Sequence, residues 1–348
     1  MPETPSVTSL SAEINTATRS LHTTLNRLIT SRLPLALPPY ASDPSLYTTG
    51  IIHFSHIFLT FESLWADLLP TPSDPPTSPL LSFLLVNPYD SPELFSTPPS
   101  QQMLQFLSTL RPKGLARSPR LKEDLEFLTG LHPTDLSVLL AQYPGEKVQE
   151  YCNHIRRIVK QKPHVLVAYA WCFYMAVFSG GRWIRAQLAA SGDEFWRTAT
   201  SDDSKGEKDA FVPLAERGLS LWSFDGEHDG EDIKAEFKKR LAAVEDFFTD
   251  DERIDVIEEA KNIFMFSAGL VEELDTKVGT DMQQLAHLDR AERLKAKEKA
   301  QQVDTLVPKM SQTSATWLKK PEITGAAVAL GCLACAALLV LHPTGTWA

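Results

Sequence analysis

The chain has 348 residues, 43% of them hydrophobic, enough to bury one large core or two small ones. Against 34 basic residues stand 44 acidic ones, a formal charge of −10, which argues against the basic face a nucleic-acid binder turns to phosphates. The four cysteines, Cys152, Cys172, Cys332 and Cys335, lack the spacing of a disulfide framework or a zinc site, and no basic region followed by an apolar run opens the chain, so a reducing compartment and no secretory signal are expected.

In chain order, the first element is an amphipathic helix. Leu10, Ile14, Ala17, Leu21, Leu25 and Leu28 recur every three or four residues, and Ser11 is the expected cap. At about 100° per residue His22 falls at the edge of this apolar stripe, beside Leu21 and Leu25 and on a face with Thr18. Such a histidine is either half-buried with an ordinary hydrogen bond or a ligand reaching into a cleft. A second helix is expected over Thr48 to Leu69, with a broad apolar side, and a Pro-, Ser- and Thr-rich loop over Pro70 to Pro79. The stretch from Leu80 to Pro112 is mixed. Shorter helices are expected over Pro119 to Thr129, Thr134 to Gln142 and Glu146 to Gln161.

Pro163 opens the most apolar segment before the C-terminus, Val165 to Leu188. Its glycines Gly180 and Gly181 each cost a helix roughly 1 kcal/mol relative to alanine, so something compensates. Either another element packs tightly there or a flat ligand lies against bare backbone. The pair also allows a kink. A polar insertion, Thr198 to Lys208, reads as an exposed loop, and helices are expected over Gly230 to Phe248 and Asp250 to Asp275. Residues 290–322 read as a charged and polar tether. Ile323 to Leu341 carries no charge and is long enough to cross a bilayer, for which roughly 20 residues suffice. With Lys319 and Lys320 before it, the expected arrangement is a tail-anchored protein whose domain, residues 1–289, faces the cytosol. Cys332 and Cys335 then read as small packing residues of the anchor.

Several stretches together carry a resemblance. Leu10-Ser-Ala-Glu-Ile-Asn-Thr-Ala-Thr-Arg-Ser-Leu-His22-Thr, Ser55-His-Ile-Phe-Leu-Thr-Phe-Glu62, Leu121-Lys-Glu-Asp-Leu125, Lys162-Pro-His-Val-Leu-Val-Ala, Ser179-Gly-Gly181 and Val256-Ile-Glu-Glu-Ala-Lys261 stand in an order and spacing similar to the heme oxygenase family. The match covers roughly residues 8 to 277. The resemblance implies an all-α helical bundle with a heme cleft between the first helix and a kinked distal helix, followed by a C-terminal transmembrane helix.

On that resemblance His22 matches the proximal heme ligand, Gly180 and Gly181 with Ser179 match the catalytic distal segment, and Arg19 matches a basic residue facing the heme edge. Lys234 and Lys238 match the cationic pair for the propionates, and Thr18, Tyr169 and Tyr174 are further candidates for contacts. The implied activity is heme catabolism: cleavage of heme, which is both substrate and cofactor, to biliverdin, carbon monoxide and ferrous iron. Dioxygen is the oxidant and a membrane-bound NADPH–cytochrome P450 reductase the electron donor. The endoplasmic reticulum membrane is the expected location. One departure bears on turnover. Where the family runs Gly-Asp-x-Ser-Gly-Gly, this chain has Ala176-Val177-Phe178-Ser179-Gly180-Gly181, and a distal arginine is replaced by Phe173. Val177 cannot order water as a carboxylate does. The alternative is therefore a catalytically impaired heme-binding protein, a sink, sensor or carrier at the membrane. A non-heme di-iron site is disfavoured because the chain offers no Glu-x-x-His pair.

Overall fold

A computed structural model describes residues 8–69, 100–197 and 218–287, with 290, 291 and 294. The chain divides into two compact units, Met1–Leu288 and Asp289–Ala348, and the helices that bear on function belong to the first. The loop at Pro70 to Pro79, the insertion at Thr198 to Lys208, nearly all of the tether, and the apolar run from Ile323 to Leu341 with its two cysteines lie outside the described residues.

Helix α1 spans Leu10–Arg32. Its cap is Ser9 rather than Ser11: the Ser9 hydroxyl accepts the Ala12 N–H at 3.3 Å, while Ser11 already lies in the first turn. Helix α2, Ser45–Leu68, begins a turn earlier than the apolar pattern predicts, directly after Pro44. The mixed stretch before Pro112 contains α3, Gln101–Leu110, capped by Ser100. Three further helices, α4 at Ser118–Thr129, α5 at Pro133–Leu140 and α6 at Glu146–Gln161, follow near their expected positions.

The apolar segment becomes one helical run, Pro163–Ala189, comprising α7 at Leu166–Tyr169, a π-helical turn at Ala170–Tyr174 and α8 at Met175–Ala189. By length and composition it could cross a membrane, but 72% of its most apolar window is buried by the rest of the protein, which makes it a core helix. The departure from α geometry also differs from expectation. The glycines sit inside regular α8, and the irregular turn lies upstream of them. After α9, Asp193–Arg197, come α10 at Glu231–Ala242 and the long α11 at Asp250–Val278. Thr249 and Glu252 form a reciprocal capping box at the start of α11, and Gly279 ends it with φ 63°.

Helix α11 is the floor on which the functional elements are laid out. Along it Arg253 pairs with Glu13 at 3.0 Å, Phe264 meets the His22 ring edge-on at 5.7 Å, and Asp275 takes the Arg32 guanidinium at 2.6–2.9 Å. The order of these contacts makes α1 parallel to α11 along its length. The distal run starts in the same sense, because Asp255 holds Lys162 and His164 while Glu259, one turn on, holds Tyr169. Beyond Tyr169 it leaves the floor, and α8 packs instead on α10 and on the turn at Ser220–Trp222. The two helices share a floor and then separate, and the cleft that the family resemblance implies falls between them.

Three buried carboxylates from the quoted motifs hold this frame. Glu62 accepts from the backbone N–H of Arg117 and Ser118, both at 2.8 Å, and from the Tyr174 hydroxyl at 2.9 Å. Asp124 accepts from the backbone N–H of Ser220 and Leu221 at 2.9 and 2.7 Å and from the Ser220 hydroxyl. Glu259 accepts from Tyr169 and Asn262 and lies 2.9 Å from His154 Nε2. Their acidity serves helix termini and inter-helix ties, which satisfies donors that burial would otherwise leave costly.

Candidate functional site

The cleft starts where its two walls touch. Trp171, the second residue of the π turn, donates its indole N–H to Asn15 Oδ1 of α1 at 3.0 Å. Arg19 and His22 lie four and seven residues beyond Asn15, and at about 3.6 residues per turn all three occupy one face of α1. His22 is exposed, and among the described residues neither of its ring nitrogens has a hydrogen-bond partner. That is the condition for an imidazole that can bind a metal. Phe264, which the sequence reading missed, supports the ring edge-on and limits its rotation. Thr18, by contrast, is buried and donates its hydroxyl to Ile14 O at 2.8 Å, so it strengthens the helix and offers no free donor.

Across the cleft the two glycines do different things. A Cβ placed on Gly180 meets no heavy atom within 4 Å. On Gly181 it would lie 2.9 Å from Cε3 of Trp222, whose indole N–H is held by Tyr47 at 3.0 Å. Tight packing thus explains Gly181, and of the pair it is Gly180 that has open space beside its backbone. Ala176, Ser179 and Trp183 share the exposed side of α8 with Gly180. Val177 and Phe178 face the core; Phe178 stacks on Phe224 with ring centres 4.3 Å apart.

The tyrosines expected to contribute polar contacts are committed elsewhere. Tyr169 is fully buried and donates to Glu259, and Tyr174 is fully buried and donates to Glu62. Both hydroxyls hold inter-helix ties, and burial beside a carboxylate drives their pKa values well above the tyrosine range. Neither presents a free donor to the cleft. Phe173, in the register of the family's distal arginine, packs against Phe58 and Phe61, so the distal helix shows the core an apolar pair, Phe173 and Val177, one turn apart.

The cationic helix closes a third side. Trp171 and Tyr174 pack on Phe237 of α10, each with ring centres 6.3 Å apart, and Lys234 and Lys238 flank Phe237 in sequence. Lys234 reaches Glu231 at 3.3 Å, and Glu231 also takes Arg182 of α8 at 2.6 Å. Lys238 is exposed, and like Arg19 it has no carboxylate partner among the described residues. In a chain of charge −10, exposed cations without a carboxylate partner among the described residues favour an anionic ligand. The residues fit heme: an exposed imidazole for the metal, an open glycine for a flat ring, and cations for its propionates.

The fold is all-helical, with an exposed imidazole on α1 and bare glycine backbone on the exposed side of α8. A profile of the family described as Heme oxygenase matches residues 100–273, half of the chain, and the protein belongs to this family. The match begins after α1, so the proximal assignment rests on the geometry above.

Among characterised proteins, it is 28% identical to a heme oxygenase of Takifugu rubripes over 47% of this chain and 50% of that protein. It is 22% identical to the heme-binding protein HMX1 of Saccharomyces cerevisiae over 79% of this chain and 78% of that one. The chain thus spans about half the length of the Takifugu protein and of the similar heme oxygenase 1 of Gallus gallus, at 50% and 48%. Its fold is similar to that of heme oxygenase-2 from Synechocystis sp. PCC 6803, a structure in complex with heme and NO, with a TM-score of 0.56 at 14% identity over 81% of this chain and 93% of that one. The heme-free heme oxygenase 2 of Chlamydomonas reinhardtii gives a TM-score of 0.53 at 16% identity, covering 76% and 97% of the two chains.

Proposed function

We propose that the protein binds heme in the cleft between α1 and α8 and opens it oxidatively to biliverdin, carbon monoxide and ferrous iron. Dioxygen is the oxidant, NADPH–cytochrome P450 reductase supplies the electrons, and the apolar run Ile323 to Leu341 anchors the chain in the endoplasmic reticulum membrane. The observation that carries the reading is the pairing of an unpartnered, exposed His22 with the open backbone of Gly180 on the two walls that meet at Asn15 and Trp171.

Heme brings the iron at which dioxygen is activated and the ring that is oxidised. His22 holds it from the α1 side through a neutral imidazole nitrogen, with Phe264 restraining the ring. Gly180 lets the ligand approach the distal backbone, while Ser179, exposed beside it, is the hydroxyl placed to donate a proton or hold water there. Arg19, Lys234 and Lys238 meet the propionates and fix the macrocycle's rotation in its plane, which selects the ring edge presented to the distal wall.

A second reading, heme binding without efficient turnover, is favoured by the burial of Val177 and Phe173 on the core side of the distal helix. It agrees with the similarity to HMX1, a heme-binding protein, which extends over 79% of this chain and 78% of that one. The test is a hemin titration of the full chain in detergent, followed by NADPH and reductase. A Soret band lost or reshaped in His22→Ala supports the site. Biliverdin formation supports the enzyme, and a reduced complex that persists in air without ring opening supports the binder.

A further inference from the structure

The Asn15–Trp171 contact does more than join two helices. We propose that this hydrogen bond fixes the opening of the heme cleft, holding α1 against the distal π turn so that His22 and Gly180 face one another at a set separation. The proposal rests on the heme reading of the same cleft.

α1 runs in the sense of α11 throughout and the distal run does so as far as Tyr169, and the two touch just beyond, α1 through Asn15 and the distal helix through Trp171. From the contact His22 lies seven residues along α1 and Gly180 nine along the distal helix, about 10 and 13 Å at 1.5 Å per residue, so the two groups stand at similar distances from it. In an uninterrupted α-helix, positions nine apart lie on opposite faces. The i→i+5 closure of the π turn takes up one extra residue, about 100°, and brings Gly180 to within roughly a quarter turn of Trp171. The irregular turn therefore lets one helix both hold α1 and present its bare glycine to the cleft.

Trp171 is nearly buried on Phe237, so the indole is a fixed donor, and Asn15 is exposed on α1 with only this tie to the distal wall among the described residues. The bond is thus asymmetric: Trp171 is anchored by packing and α1 is the part it restrains. Asn15 and Trp171 act as positioning residues.

The experiment compares Asn15→Leu, which keeps size and removes the acceptor, with Asn15→Asp, which keeps an acceptor, in the full chain in detergent. Asn15→Leu should lower the thermal midpoint of the heme-free protein by a few degrees, about 2–4 °C per kcal/mol, because it leaves the buried Trp171 indole N–H without its acceptor. It should speed transfer of heme to apomyoglobin about three- to tenfold, the factor for one lost hydrogen bond, and broaden the ferric heme EPR signal as the histidine geometry spreads. Asn15→Asp should restore both. Trp171→Phe should reproduce the loss, and combining it with Asn15→Leu should add nothing further. Equal transfer rates and line shapes in wild type and Asn15→Leu overturn the proposal. A wild-type protein that takes up no hemin, or keeps its Soret band in His22→Ala, overturns the heme reading instead, so the two failures are distinct.

Discussion

Replacing the two distal glycines by alanine should separate their roles: Gly180→Ala raises stability and weakens heme binding, and Gly181→Ala lowers stability alone. At Gly180 a methyl group enters open space, and the helix gains the roughly 0.8–1 kcal/mol by which alanine exceeds glycine in a helix interior. For a domain of this size that raises the heme-free thermal midpoint by about 2–4 °C. The same methyl stands where the ligand approaches the backbone, so hemin affinity should fall. At Gly181 the methyl meets Trp222 at 2.9 Å, and that indole cannot yield freely because its N–H is tied to Tyr47. Overpacking of this kind costs about 1–3 kcal/mol, which cancels or exceeds the helical gain and lowers the midpoint by up to about 8 °C while changing hemin affinity little. Differential scanning fluorimetry of both heme-free variants, followed by hemin titration, reads both quantities. If Gly180→Ala left hemin affinity unchanged and Gly181→Ala weakened it, the open side of α8 would not be the ligand side and the division of labour argued here would be wrong.

Glu62→Ala strips the acceptor from three buried donors, so urea unfolding should show a loss of at least about 3 kcal/mol, at roughly 1–3 kcal/mol per donor left bare. Burial pushes the Asp124 carboxyl up to about 6, so the native state holds its proton where the unfolded state has released it; this contribution to stability is full below pH 4 and declines by as much as about 3 kcal/mol as pH rises to 6, and Asp124→Asn should abolish that slope in unfolding curves taken across the window. His56 has the opposite sign: burial holds its imidazole down at about 4, so the unfolded chain takes a proton first, stability falls on acidification from pH 6.5 to 4, and His56→Gln should flatten that limb. Val177→Asp puts a carboxylate into a site 1% exposed, with Phe173 one turn away; the expected result is a loss of several kcal/mol in chemical denaturation and no gain in biliverdin, whereas a stable variant with raised turnover would mean that the side chain reaches the cleft.

Helix periodicity made most of the described frame legible, because amphipathic spacing and Pro or Gly punctuation are local properties. The α1 stripe, the extent of α6 and the capped start of α11 follow from residues within one or two turns of each other. The fine geometry of the site depends on partners far along the chain. Nothing near Gly181 announces Trp222, and nothing near Tyr169 announces Glu259, ninety residues away. Ser11 looked like a cap because it precedes Ile14, but helix entry is set where Leu10 N–H meets Glu245, a contact of sequence separation 235. Phe264 and Asn15 were readable in part: Asn15 stands two turns before His22, so a search of the histidine's own face would have found it. The π turn left no composition signal, since all five of its residues suit an ordinary buried helix.

The apolar distal pair alters what the missing carboxylate means. A single Asp-to-Val change in a wet distal pocket would leave neighbouring polar groups unpaired, and each unsatisfied buried group costs about 1–3 kcal/mol. Here Phe173 occupies the place of the cationic partner, Phe58 and Phe61 fill the space behind it, and the tyrosine hydroxyls nearby are both bound to carboxylates of the frame. At Phe173 and Val177 the core side of the distal helix is apolar packing. Proton delivery, if the chain turns heme over, therefore has to come from the exposed side of α8, where Ser179 and solvent adjoin Gly180. This places the decisive variable on the accessible face: Ser179→Ala, with hemin affinity retained and biliverdin lost, would identify an enzyme that moved its proton source one helical face away, and an unchanged rate would leave solvent as the donor.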